Sequence, residues 1–417
     1  MTGRATNVSH LLMIAFHYPP AGYGSGIHRT LAFANLLAAK GWRPCVLTLN
    51  PRAYPGRCSG SEVRAAPEIK VLRAFALDSK RHLAIAGRYP EFLALPDRWS
   101  SWIIPAVVRG LWEIRRQQAT ALWSTYPIAS AHLIGLILKR LTSLPWIADF
   151  RDPMIDAGYP ISKNQRRVAA WIEKQTLYAA DYCVFTTQET RQHYQQKYPD
   201  LNHQHFRVIA NGYDETAFAH APARQPSTGP VKILHSGLLD PEDRDPQALF
   251  QALRTLIQHS GLVEVVIWLR ATGHDAQIQA LIDQYALSEY VRILPALPYH
   301  AAIAEMMSVD VLLLLQGSSC STQIPAKMYE YFRSHRPLLA LCAPDSATER
   351  ELINAGARYI AAIDNSAAIK ECLASLLENL KSDDNSGAIS AAQASGYDRQ
   401  LSSQAFCQLL QELGSTK

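Results

Sequence analysis

No apolar run in this 417-residue sequence approaches the roughly 18 residues that a membrane-spanning helix needs. The first apolar stretch, residues 11–16, is also too short for the core of a signal peptide, and it runs straight into a Pro/Gly loop. A cytoplasmic protein is therefore expected. Cysteine is sparse: the seven thiols are an odd number, scattered, and none has the spacing of a zinc ligand set or a redox motif. That excludes a disulfide scaffold and suits buried thiols in a reducing compartment. Tight Lys/Arg clusters with interleaved aromatics are missing too, so nucleic acid is not an expected partner. Repeats and low-complexity segments are likewise missing.

What is there is ordinary soluble-protein composition, 48% hydrophobic and 18% charged, in a chain too long for one core. Basic residues crowd the first 210 positions and the remainder is net acidic. A basic half suggests an acidic partner, either a phosphorylated ligand or an anionic membrane surface.

Apolar runs and helical patterns alternate along the chain. A strand over 11–16, a loop rich in Pro and Gly, a helix over 27–40 and a strand over 44–49 open a doubly wound α/β domain. Gly24-Ser25-Gly26 resembles part of a dinucleotide fingerprint, but the third glycine is missing. Strand two ends in Leu49-Asn50, without the acidic residue that would hold a ribose. Residues 51–98 show no clear pattern. Further strands are expected at 122–125, 145–150, 182–186 and 208–210, with helices at 99–118, 129–141 and 166–180. After a polar linker at 222–230 the alternation restarts at 231. It continues through 246–259, 263–269, 276–285, 291–294, 309–315 and 338–341. Residues 381–395 read as a linker, followed by an amphipathic helix over about 399–413.

The most informative stretch is 309–332. Residues 309–315 read as a strand buried on both faces. A polar loop follows, and Pro325 suits the first turn of the next helix. Lys327 there opposes the helix dipole, at a cost of about 0.3–1 kcal/mol. An anion held by the lysine and the free N–H groups would explain it. Glu330, one turn on, would then face a neutral hydroxylated part of the same ligand. The competing reading is an exposed Lys/Glu pair on a surface helix. Elsewhere, Asp149, Arg151 and Asp152 form either an ion pair that fixes a loop or an acceptor contact. His132 is either a half-buried histidine at a helix start or a site residue. Trp99, Trp102 and Trp112 read as core or interdomain aromatics rather than a membrane anchor.

Taken in order, these motifs resemble glycosyltransferase family 4, the retaining enzymes of the GT-B fold, in the bacterial type that builds cell-surface polysaccharides. The resemblance rests on Tyr18-Pro19-Pro20 with Gly22, Gly24, Gly26 and Arg29, and on Asp149-Phe150-Arg151-Asp152-Pro153. It continues through Asn211-Gly212-Tyr213-Asp214 and His235-Ser236-Gly237 with Arg244, and ends with Pro325-Ala326-Lys327-Met328-Tyr329-Glu330. It implies two facing Rossmann-like domains: 1–212, joined by a returning helix at about 396–417, and 213–395.

By that resemblance, Glu330 accepts ribose hydroxyls, while Lys327 and Arg244 hold the diphosphate of a nucleotide sugar. Gly24, Ser236, Gly237 and Thr322 line the donor, and Pro295 to Leu297 border the base. His132 faces the reacting sugar. Asp149, Arg151 and Asp152 lie on the side of a glycan or lipid-linked acceptor. No metal or other cofactor is expected at the diphosphate. The location implied is cytoplasmic, peripheral on the inner membrane face. Two departures stand out: Thr322 occupies the place of the family's first glutamate, and Leu238 that of an arginine. They make an inactive donor-binding scaffold an alternative, and a GT-B-shaped sugar-nucleotide epimerase is the alternative among enzymes.

Overall fold

The structure is a computed structural model that describes residues 9–21, 26–56, 65–155, 162–219, 229–260, 264–382 and 387–415. The chain divides into two compact units, Met1–Ala210 with Gln400–Lys417, and Asn211–Arg399.

The first unit is built on β1 (His10–Ala15), β2 (Arg43–Leu49), β3 (Lys70–Ala74), β4 (Ala121–Thr125), β5 (Trp146–Arg151), β6 (Tyr182–Phe185) and β7 (Phe206–Val208). They pair in parallel as a seven-stranded sheet in the order β3-β2-β1-β4-β5-β6-β7. The second unit is built on β8 (Val231–Ser236), β9 (Val265–Arg270), β10 (Val291–Leu294), β11 (Val311–Gln316), β12 (Leu338–Cys342) and β13 (Tyr359–Ala362). Its six parallel strands run in the order β10-β9-β8-β11-β12-β13. Both sheets are doubly wound. Their strand order reverses between β1 and β4 and between β8 and β11, and ligands of such sheets bind outside the strand carboxyl ends at that point.

The middles of the central strands β1 and β11 are apolar because helices cover both faces. Leu11, Leu12, Met13 and Ile14 are fully buried, as are Leu312, Leu313 and Leu314. Two helix glycines of the first unit let neighbours pack closely. A Cβ on Gly135 would sit 2.8 Å from the Trp146 ring, and one on Gly110 would sit 2.9 Å from Leu138.

Several elements were not legible in sequence. β3 lies in the stretch that showed no pattern. Helix Gln188–Lys197 is polar almost throughout and buries only Thr190 and Tyr194, so it carries no apolar period. Helices Tyr299–Ser308, Ala347–Asn354 and Ser366–Lys381 and strand β13 were also not anticipated. Pro325 precedes its helix instead of occupying the first turn, since that helix spans Lys327–Ser334.

Trp99 and Trp102 are core residues, but Trp112 is half-exposed. It continues an exposed stripe with Ile104 and Val108 along helix Ile103–Gln117. Arg109, Arg115 and Arg116 are exposed on the same helix.

Candidate active site

In the second unit the carboxyl ends of β8 and β11 carry His235 and Gln316, both buried. His235 Nδ1 lies 3.0 Å from the Leu313 carbonyl, and its Nε2 lies 3.0 Å from Lys327 Nζ. A carbonyl only accepts, so Nδ1–H donates to it. Nε2 is then the acceptor for the Lys327 ammonium. Burial, and then the Lys327 charge, push the His235 pKa far below its usual range and keep the ring neutral.

Lys327 is itself half-buried. Burial, and then the neighbouring charge of Arg244, push its pKa down to about 7. Arg244 donates from Nε and Nη2 to Gln316 Oε1 at 3.2 and 3.1 Å. Gln316 thus aims the cation without neutralising it, and the nearest carboxylate oxygen, Asp243 Oδ2, stands off at 3.7 Å. Gly237 completes the arrangement. Its φ is +115°, and a Cβ there would lie 2.9 Å from Lys327 Nζ. Only glycine meets both conditions.

Helix Lys327–Ser334 follows directly. Its N-cap, Ala326, offers no side chain to the first-turn N–H groups. The preceding loop, with Thr322 half-buried in it, is pinned by bonds from the Ala347 N–H to the Ser321 carbonyl and from Thr348 Oγ1 to the Gln323 carbonyl. The Ser236 N–H donates to Tyr331 Oη at 3.0 Å and ties the helix to β8. Two like charges, Lys327 held by His235 and Arg244 held by Gln316 with Asp243 at 3.7 Å, therefore lie close together beside an uncapped helix start, an arrangement suited to an anion. Glu330 accepts from Tyr299 Oη at 2.8 Å. Burial raises its pKa, and the Tyr299 hydrogen bond opposes that rise. The two are not an exposed surface pair: Lys327 bonds His235 and Glu330 bonds Tyr299, though each charge still acts on the other.

Pro295 and Leu297 are exposed just past β10. The Pro295 carbonyl accepts from Arg270 Nη1 at 2.5 Å, and Arg270 also pairs with Glu305. Leu238 is 62% exposed, so this position adds no cation.

The first unit assembles its own group at the carboxyl ends of β1, β4 and β5. Arg29 and Asp149 are both buried, and two N–H···O bonds of 2.9 and 3.0 Å join them. Arg29 also donates to the carbonyls of Ile209 and Ala210. Thr125 Oγ1 occupies the remaining face of Asp149. Asp149 is thus a structural partner of Arg29, and its charge also acts on neighbouring Arg151. Arg151 is buried with φ +61° and donates to the Tyr126 carbonyl. A Cβ on Gly26 would fall 2.7 Å from its Nη1. Asp152 is half-buried beside it, and burial raises its pKa.

His132 corrects the sequence expectation. It is fully buried among Tyr126, Trp146 and Phe150, with Nδ1 2.8 Å from Ser124 Oγ. Burial pushes its pKa down to about 3. The first turn of helix Ala129–Thr142 is buried throughout, so this histidine packs in the core, with its Nε2 lacking a hydrogen-bond partner among the described residues. Gly24 lies outside the described residues. Sequence reasoning missed the supporting roles of His235, Gln316 and Tyr299. The signal for Gln316 was a single polar residue closing an apolar strand.

A family model described as "Glycosyl transferase 4-like domain" matches residues 25–212. No curated protein matches the chain. Solved structures match over nearly its full length. Sucrose-phosphate synthase from Thermosynechococcus elongatus is 13% identical, with a TM-score of 0.74, covering 98% of this chain and 100% of that one. Anabaena HepE, solved in complex with UDP-glucose, is 14% identical at a TM-score of 0.66, covering 96% and 99%. A lipopolysaccharide outer core galactosyltransferase is 12% identical at a TM-score of 0.61, covering 97% and 99%.

Proposed function

We propose, since residues 25–212 are a glycosyl transferase 4-like domain and the chain has the GT-B fold, that the protein is a retaining, metal-independent glycosyltransferase. It moves a hexose from a nucleoside-diphosphate sugar to a hydroxyl of a glycan or lipid-linked acceptor in cell-surface polysaccharide synthesis. The observation that carries this reading is the convergence of Lys327 and Arg244 at the uncapped helix start, with His235 and Gln316 holding them. HepE binds UDP-glucose on the same fold, which supports a nucleotide sugar as donor.

Cleaving a glycosyl–phosphate bond puts negative charge on the departing diphosphate and leaves an oxocarbenium-like sugar. Positioned cations stabilise that charge best in a partly dry site where they need not reorganise. Lys327, Arg244 and the helix N–H groups supply this role in place of a metal. Glu330, oriented by Tyr299, receives the ribose hydroxyls. Backbone near Pro295 and Leu297 borders the base, and Ser236, Gly237 and Thr322 line the donor. In front-face attack the leaving phosphate oxygen takes the acceptor's proton, so no separate base is needed. On the acceptor side, Arg151 and Asp152 are the contacts retained, with Asp149 acting through Arg29.

The protein works at the inner membrane face. Ile104, Val108 and Trp112 insert between lipids, and Arg109, Arg115 and Arg116 meet anionic headgroups.

A panel of sugar nucleotides, assayed with and without lipid-linked glycans, tests the reading. Transfer that needs an acceptor supports it. Donor isomerisation without acceptor would make the protein an epimerase. Donor binding without turnover would make it a scaffold.

A further inference from the structure

At the other end of the first sheet, away from the strand carboxyl ends, β1 and β2 begin beside helix Ile103–Gln117. There His10, Cys45 and Glu113, all buried, place one ligand-type atom each within 4.8 Å of one another. His10 and Glu113 line an open cavity of about 440 Å³ together with Trp42, Arg43 and Lys70, and Cys45 lies behind them.

Three features of this cluster suit a cation better than ordinary packing. First, His10 Nδ1 lies 3.3 Å from the Gln117 carbonyl. Nδ1–H donates there, so Nε2 presents its lone pair inward. Backbone orientation of the other ring nitrogen is the usual support of a metal-ligating histidine. Second, Nε2 faces Glu113 Oε1 at 3.8 Å, too far for a hydrogen bond and with a lone pair on each side. Glu113 is fully buried, and this oxygen accepts no N–H or O–H hydrogen bond among the described residues. Third, the charge of Glu113 is only partly met. Lys70 Nζ bonds the other oxygen, Oε2, at 2.6 Å, and leaves Oε1 to the cluster. Cys45 completes the set as a buried thiol that hydrogen-bonds the same carboxylate, through the proton that metal binding would displace.

We propose that His10 Nε2, Cys45 Sγ and Glu113 Oε1 bind one zinc-class divalent ion, with a solvent molecule from the cavity as fourth ligand. A thiolate, an imidazole and a carboxylate suit zinc and disfavour magnesium and calcium, which take oxygen ligands. Binding forms a metal–sulfur bond and releases the thiol proton to solvent, so metal uptake is coupled to loss of one proton. The ion joins β1, β2 and helix Ile103–Gln117 and is structural. It is independent of the proposed diphosphate site in the second unit.

The test uses the full chain, stripped with a chelator under reducing conditions and titrated with Co²⁺ alone. One equivalent should bind, with tetrahedral d–d bands and a thiolate-to-cobalt charge-transfer band, and Zn²⁺ should displace it. Cys45→Ser should abolish the charge-transfer band. Glu113→Gln should weaken affinity at least about tenfold, the loss seen for outer contacts being a floor for a direct ligand. Thermal melts establish that both variants fold. If Cys45→Ser does not fold, Cys45→Ala replaces it. No cobalt uptake by folded wild type, or a charge-transfer band that survives loss of the Cys45 thiol, overturns the proposal.

Discussion

If Lys327 holds a diphosphate, donor affinity must fall as pH rises through neutrality. Its ammonium is charged only below a pKa pushed to about 7 by burial and by Arg244. A dianionic ligand between the two cations restores the charge, so the complex keeps its proton where the empty site has lost it. The protonated form binds, and the deprotonated form must first take up a proton. From pH 6.5 to 8.5 a pKa of about 7 makes the dissociation constant about 25-fold weaker, or about 2 kcal/mol at 1.36 kcal/mol per unit. His235 does not titrate here, since its pKa lies far lower. A sugar nucleotide is the proper ligand, because its substituted diphosphate carries constant charge over this range. Isothermal titration across the pH series should show the slope in wild type. Lys327→Arg, always charged, should bind with a flat profile. Lys327→Ala should also be flat, with kcat down about 10²–10³ if it resembles other preorganised charge stabilisers. A flat wild-type profile, or a slope that persists in Lys327→Arg, would refute the reasoning.

Three further outcomes follow. Glu330→Gln keeps the shape but loses a charged hydrogen bond to ribose, so donor KM should rise by about 1.5–3 kcal/mol with kcat nearly unchanged; steady-state kinetics reads the split. Asp149→Asn leaves the buried Arg29 charge without its carboxylate, held only by backbone carbonyls and other neighbours, and should cost about 3–5 kcal/mol in denaturant unfolding; a loss below about 1 kcal/mol would remove Asp149 from its structural role. Serine at Ile104, Val108 and Trp112 together should abolish sedimentation with anionic vesicles while leaving turnover on a soluble acceptor intact. Equal binding of wild type to neutral and anionic vesicles would contradict the membrane assignment.

The strands that position the sites were legible because two-sided burial writes itself as unbroken apolar runs, as from Val311 to Leu315. Lys327 was legible because a cation in a first helical turn is costly without an anion. Helix Gln188–Lys197 was not, since two buried residues make no period. The fate of Asp149 was hidden for another reason. Its partner, Arg29, lies 120 positions away, and adjacent Arg151 was the only candidate that spacing offered. His132 misled because the inward and outward faces of a helix start look alike until its neighbours are placed. The His10–Cys45–Glu113 cluster spans three elements and leaves no spacing signature.

The returning helix Arg399–Ser415 has a consequence for biosynthesis. Its Phe406 stacks on Phe33 at 4.4 Å and meets Trp123, and Leu409, Leu410 and Leu413 are buried in the same cluster. The first unit to be translated is thus the last to be finished. Phe33 and Trp123 lack their cover until residues 399–415 have been made and have left the ribosome, after the whole of Asn211–Arg399. The nascent N-terminal unit therefore offers a chaperone an aromatic patch for most of synthesis, whereas the second unit is contiguous and closes on its own chain.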